Sequence, residues 1–282
     1  MKITAVDIGG SHITVAAVDM ESRTCNGGSR MQVDSRSPAG EILDCWAAAI
    51  ARCAETHDGT QIAVAMPGPF DYASGVCRVR DQSKFDALYG VNVKDALAER
   101  LQIDAGNILF DNDATCFLRG HYFAGCFQEN ENVLGLTLGT GFGSVIRSGE
   151  GYFSPDYWCR SFGDSMADDY FSSRWLLHAF AALGGEKLTS VRELATRGNS
   201  GEVFRKFGAN LAGFLSEAAP EVDAILLGGN IAKAYPLFGD ALEAGLAAVG
   251  RQYRFQVSAL GEEGILLGAA ALREKEPVGS ER

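Results

Sequence analysis

The sequence predicts an α/β protein made of two similar halves, and three observations carry that prediction. Short apolar runs alternate with longer stretches of helical periodicity, the pattern of strands and helices interleaved along one chain. The runs at 2–8 (KITAVDI) and 132–138 (NVLGLTL) each lead into a glycine turn and then a second strand, so the halves open alike. The chain has 282 residues, enough for two domains of ordinary size.

Residues 2–8 read as a buried strand, Gly9-Gly10-Ser11 as a tight turn and 12–19 (HITVAAVD) as the returning strand of a hairpin. A third strand is expected around Met31 and Val33. Residues 41–55 (EILDCWAAAIARCAE) have helical spacing and no breaker. Residues 61–66 (QIAVAM) form an apolar strand stopped by Pro67-Gly68-Pro69. A helix over 92–101 and a strand over 107–111 (NILFD) precede Asn112-Asp113 and a helix over 114–124. The second half repeats the opening: strand 132–138, glycine turn Gly139–Gly143, strand Ser144–Arg147. Helices over 168–183 and 202–218 come next. The strand 223–227 (DAILL) ends in Gly228-Gly229-Asn230, and a last helix runs from Gly264 to about Lys275 before a tail that frays after Pro277. The expected domains are 1–115, joined by the C-terminal helix at about 264–276, and 116–263. A cleft between such halves is the natural place for a ligand.

Apolar residues make up 46% of the chain and charged residues 22%, so a sizeable core can be buried. The net charge of −11 and the absence of Lys/Arg runs argue against nucleic acid as a partner, because phosphate backbones demand clustered cations. A nucleotide is still permitted, since backbone N–H groups and a metal can hold its phosphates. Seven scattered cysteines without a CxxC pair read as reduced thiols. The chain enters a strand at once and has no long apolar run, so neither a signal peptide nor a membrane partner is expected and a cytoplasmic location follows.

Five motifs carry chemistry. In Asp7-Ile8-Gly9-Gly10-Ser11 a carboxylate ends a buried strand and glycines follow, which allows the backbone to approach a phosphate and Asp7 to hold magnesium, directly or through water. A hairpin turn with a solubilising Asp explains the same residues. Gly139-Thr140-Gly141-Phe142-Gly143 joins two strands, unlike a P-loop or a dinucleotide fingerprint, and suits a second phosphate clamp or a plain glycine hairpin. In Asp111-Asn112-Asp113, an Asp between strand and helix can take the proton of an attacking hydroxyl, and Asn112 can bind a neighbouring hydroxyl. Helix capping accounts for one of the three residues. Pro67-Gly68-Pro69 is a rigid turn that can face a sugar or simply form a loop. Gly228-Gly229-Asn230 can let an adenine pack on the backbone or be an ordinary strand-to-helix turn.

Taken in order, DxGG, PGP, NDA, GTGxG and LGGN resemble the ROK family of repressors, open-reading-frame proteins and sugar kinases. The resemblance runs from Ala5 to about Leu272, where Gly264-Ile265-Leu266-Leu267-Gly268-Ala269-Ala270 is similar to the family's closing helix. It implies the actin-like, ribonuclease H-like fold, with ATP and magnesium as cofactors and a small-molecule sugar as substrate. It implies that Asp7, Gly9, Gly10 and Ser11 belong to the first phosphate loop and Gly139, Thr140, Gly141 and Gly143 to the second. Gly228 and Gly229 then lie near the nucleoside, Asn112 and the Pro67-Gly68 backbone bind the sugar, and Asp113 is the catalytic base. A homodimer is a further expectation, since dimerisation is common in the family.

The sequence departs from the family after the second loop. Typical members carry a GE-x-GH motif and a cysteine cluster that together bind zinc. Here Gly149-Glu150-Gly151-Tyr152 through Cys159 holds no His and one Cys, so no zinc site is expected. Asp168 falls where a sugar-binding Glu stands in the family, or else is an acidic helix start. The aromatic residues at 152–162 can stack on a sugar or belong to the core. The resulting expectation is ATP-dependent phosphorylation of a hexose or N-acetylated amino sugar. A non-catalytic sugar or nucleotide sensor is the rival, and a repressor is disfavoured because Asp7 lies too near the start for a preceding DNA-binding domain.

Overall fold

The computed structural model describes residues 1–57, 60–80, 84–149 and 151–274. It divides into two compact units, Met1–Phe127 with the segment from Glu262 on, and Gln128–Gly261.

The first unit begins with β1 (Lys2–Ile8), β2 (His12–Asp19), β3 (Thr24–Gln32), α1 (Ala39–Ala54) and β4 (Ile62–Met66). The short pair β5 (Phe70–Asp71) and β6 (Val76–Cys77), α2 (Val93–Leu101), β7 (Ile108–Asn112) and α3 (Asp113–Phe123) come after them. Its sheet has the order β3-β2-β1-β4-β7. β1, β4 and β7 are parallel, while β2 and β3 return antiparallel. β1 is buried from Ile3 to Ile8, with Thr4 and Asp7 the polar residues among four apolar ones, as a central strand covered on both faces must be. The covers are α1, which buries Ile42, Trp46 and Ile50, and on the other side α3 with the closing helix Glu263–Ala270.

α3 and the closing helix touch through glycine. A Cβ on Gly268 would stand 1.7 Å from the Cys116 carbonyl oxygen, and one on Gly120 1.8 Å from that of Gly264. Only residues without a side chain allow two backbones to approach this closely. The last helical residue is Ala270, continued by a 3-10 turn to Arg273. Lys275 and the tail beyond Pro277 lie outside the described residues.

The second unit holds β8 (Val133–Leu138), β9 (Phe142–Ser148), β10 (Gly151–Phe153), β11 (Ser161–Phe162), β12 (Ser165–Met166), α4 (Ala167–Tyr170), α5 (Ser173–Ala182) and α6 (Val191–Leu194). It continues with α7 (Gly201–Ala218), β13 (Ala224–Gly228), α8 (Gly229–Ala232), α9 (Tyr235–Ala248) and β14 (Arg254–Val257). Its sheet, β10-β9-β8-β13-β14, has the strand order and strand senses of the first.

Three features differ from the sequence reading. The helix expected over 168–183 breaks at Ser172, which is extended (φ −115°, ψ 162°). The Ser173 N–H and hydroxyl both donate to Gly139 O, at 2.7 and 2.8 Å, and the Phe171 ring packs on Phe142 and Phe214. These tertiary contacts override local helix periodicity. α9 is absent from the sequence reading, although Pro236 at its start is a helix-initiating signal. β14 is a short, half-exposed edge strand with little pattern to find. The aromatic segment divides: Tyr157 and Phe162 enter the core beside Phe214, while Phe153 and Trp158 are exposed. Among the described residues no helix is long and apolar enough to cross a membrane.

Candidate active site

In the first unit the strand register places three motifs side by side. Asp7 on β1 is level with Ala65 on β4, Ala65 is level with Asp111 on β7, and Met66 is level with Asn112. Parallel strands therefore end together, and their outgoing segments meet at a common edge: the turn Gly9–Ser11, the turn Pro67–Pro69, and Asn112-Asp113. The carboxyl ends of parallel strands are where open α/β sheets bind ligands.

The first turn is closed by Gly9 N–H donating to His12 O at 2.9 Å, leaving Gly10 and Ser11 exposed at the tip. His12 lies over Gly9, with ring carbon Cε1 3.1 Å from where a Cβ would be. Pro67 is buried, Gly68 half-buried, and the Gly68–Pro69 peptide is cis. Asn112 is the N-cap of α3, its Oδ1 accepting from the N–H groups of Ala114 and Thr115. Its Nδ2 donates to Tyr72 Oη at 3.1 Å, and the Tyr72 hydroxyl donates to Met66 O at 3.1 Å. The amide is thus fixed in orientation at the strand ends. Asp111 pairs with Arg119 at 2.6 Å, and Asp113 Oδ1 accepts from the Ala114 N–H at 2.9 Å. Asn112 and Asp113 thus share the Ala114 N–H, while Asp111 is held by Arg119.

Charge is concentrated here. Burial raises the Asp7 pKa from 3.8 to about 7, with further upward push from Asp113 and Glu262 and relief from Arg30. Burial also raises Asp113, opposed by the Ala114 N–H and the charge of Lys84. The cross-strand partner of Asp7 is Thr14, whose buried hydroxyl has no hydrogen-bond partner. A desolvated carboxylate beside an unpartnered hydroxyl suits a hydrated divalent cation, and magnesium is usually held by one or two carboxylates plus substrate phosphates. No group of three or more His, Cys, Asp or Glu among the described residues is arranged to hold a metal by itself.

In the second unit, β8 and β13 are parallel with Thr137 level with Gly228, so the turns at their ends adjoin. Gly229 (φ +84°) is pressed against Leu138: a Cβ there would lie 2.3 Å from its carbonyl oxygen. In the turn Gly139–Gly141, the Gly139 N–H donates to Gly141 O at 3.1 Å, with Thr140 and Gly141 exposed. Gly143 pairs with Thr137 at the start of the returning strand. Asp168 stands behind this turn. Its Oδ1 accepts from the Phe142 N–H at 2.7 Å and its Oδ2 from Arg174 at 2.9 Å. Glu150 lies outside the described residues.

Sequence reasoning missed Tyr72, Thr14 and Lys84. Tyr72 comes closely enough after the Pro-Gly-Pro turn to have been a candidate. Thr14 and Lys84 lie in no motif, and their place is set by strand pairing and loop packing alone.

Comparison with known proteins agrees with the sequence motifs. The ROK family model matches residues 3–153, just over half of the chain. The glucokinase of Thermotoga maritima is 24% identical over 146 residues, covering 52% of this chain and 44% of that protein. A β-glucoside kinase of Klebsiella pneumoniae is 31% identical over 150 residues, covering 52% of this chain and 46% of that protein. The match thus spans less than half the length of these relatives. A ROK family glucokinase from Streptomyces griseus, solved with glucose and AMPPNP, superposes with a TM-score of 0.80. It is 20% identical, and the match covers 96% of this chain and 99% of that one.

Proposed function

Because this chain belongs to the ROK family and has its actin-like fold, we propose that it is an ATP-dependent sugar kinase acting on a hydroxyl of a hexose or N-acetylated amino sugar. The observation that carries the reading is the shared edge of β1, β4 and β7, where Asp113 lies among the strand-end motifs and its charge acts on Asp7.

Asp113 is assigned as the base. Desolvation raises its pKa, and a more basic carboxylate is a better proton acceptor. Asn112, held by its cap and by Tyr72, and the backbone of Pro67 and Gly68 are assigned to sugar hydroxyls. Gly10 and Ser11, at the tip of the turn that Gly9 closes, are assigned to offer backbone N–H groups to nucleotide phosphates, and so are Thr140 and Gly141, with Gly139 and Gly143 shaping the second turn. Gly228 and Gly229 are assigned to the nucleoside. Magnesium, bound with the nucleotide, supplies neutralisation of phosphate charge, and Asp7 would hold it directly or through water. Asp168 holds the second glycine turn in shape through Phe142 N–H.

The test is ADP release from magnesium-ATP across hexoses, hexosamines and N-acetylhexosamines. Sugar-dependent release is expected, and Asp113→Asn should lower kcat by at least about 100-fold with little change in either KM. An Asp113→Asn protein with full activity would remove Asp113 from the role. Nucleotide binding with no turnover on any sugar would replace the kinase by a non-catalytic sensor.

A further inference from the structure

Lys84 lies between β6 and α2, on a stretch that no motif marks. Its neighbour Phe85 fixes it in place. Phe85 is fully buried with φ +58°, a backbone region that bulky residues rarely adopt. Its N–H donates to Ser35 O at 2.8 Å and its ring meets Trp46 edge-on at 5.5 Å. With Phe85 turned into the core, the Lys84 side chain runs back over the first glycine turn. Its Cδ lies 3.6 Å from where a Cβ on Gly10 would be. Its charge reaches Asp113, where it opposes the effect of burial. Lys84 also lines a cavity of about 250 Å³ with Ser35, Arg36, Asp86 and Ala87. Among the described residues Lys84 forms no ion pair within 4.0 Å.

A lysine stem packed on the first glycine turn, whose charge acts on Asp113, is placed to meet negative charge that develops between the two. We propose that Lys84 is a catalytic residue whose ammonium contacts a non-bridging oxygen of the transferred phosphoryl group. The inference rests on the kinase reading. In the step, the acceptor hydroxyl gives its proton to the Asp113 carboxylate and its oxygen bonds to the γ-phosphorus. The bond from that phosphorus to the β–γ bridging oxygen breaks, and ADP leaves with the electron pair. Lys84 stays protonated throughout. It stabilises the three equatorial oxygens, whose charge is better matched at the transition state than in the ground state. A lysine serves as a point charge here without the planar fork of an arginine, so it can follow the moving group.

The experiment compares Lys84→Met and Lys84→Arg with the unaltered full chain, using a sugar from the active panel. Lys84→Met should lower kcat about 100- to 1000-fold while the KM for sugar stays within about threefold. Lys84→Arg should recover at least about tenfold of that loss, because it restores the charge. Should Lys84→Met lose its cooperative thermal transition, Lys84→Gln is read by the same two constants. An unchanged kcat in a folded variant, or a raised sugar KM at unchanged kcat, overturns the proposal while leaving the kinase reading intact. No sugar-dependent ADP release from the unaltered chain overturns the kinase reading itself, and this proposal with it.

Discussion

Asp7 is 7% exposed, and its pKa of about 7 stands far above the ordinary 3.8. A carboxyl whose pKa is higher in the folded than in the unfolded chain opposes folding once it ionises. That opposition is absent below about pH 3.8, grows as pH rises and is complete above about 7. Asp7→Asn should therefore stabilise the protein in buffer free of metal and nucleotide, by on the order of 1–4 kcal/mol at pH 8 and by less at pH 5. Thermal melts of both proteins at the two pH values check this, and an equal gain at both would show that ionisation of Asp7 is not the cause. The same variant should lose activity, which separates the residue's cost to the fold from its use in the reaction. Asn112, the residue proposed to meet the sugar, shows the opposite economy: one side chain both caps α3 and is steered by Tyr72.

At the scale of elements, glycine acts by location. Gly268→Ala drives a methyl group into the Cys116 carbonyl across the contact of α3 with the closing helix. The two backbones must separate, and a loss of at least about 2 kcal/mol is expected. Gly213→Ala is the matched control. It sits exposed within α7 with nothing within 4 Å of the new Cβ, and should gain about 0.5–1 kcal/mol from reduced freedom of the unfolded chain. Chemical denaturation of both variants measures the contrast. The second glycine turn depends on Asp168 in a similar local way. Asp168→Ala removes the acceptor of the Phe142 N–H, so the KM for ATP should rise about tenfold with the sugar KM unchanged. A rise confined to the sugar KM would return Asp168 to the sugar. The broken helix at Ser172 belongs with this turn, because Ser173 gives both its donors to Gly139 O.

For the whole molecule, the chain returns at its end to the unit in which it began. The closing helix buries Leu266, Leu267, Ala269 and Ala270 against a unit made from the first 127 residues. A chain ending at Gly261 should lose the cooperative melt of that unit and with it sugar-dependent turnover, since α3 and β1 would be left with exposed apolar faces. Circular dichroism melts of the shortened chain test this, and an unaltered melt would show that the helix is dispensable. The sequence by itself determined the elements that local physics specifies. Apolar runs such as 2–8 and 223–227 became strands because nothing else buries them, and glycine and proline turns ended them because few other residues can adopt those conformations. It also determined the motif order DxGG, PGP and NDA. Which of those motifs adjoin was decided only by tertiary structure, because the pairing of β1 with β4 and of β4 with β7 is between segments remote along the chain. The same holds for Thr14 opposite Asp7, for Lys84 over Gly10, and for the break at Ser172. Each arises from a contact whose two halves carry no signal until the fold brings them together.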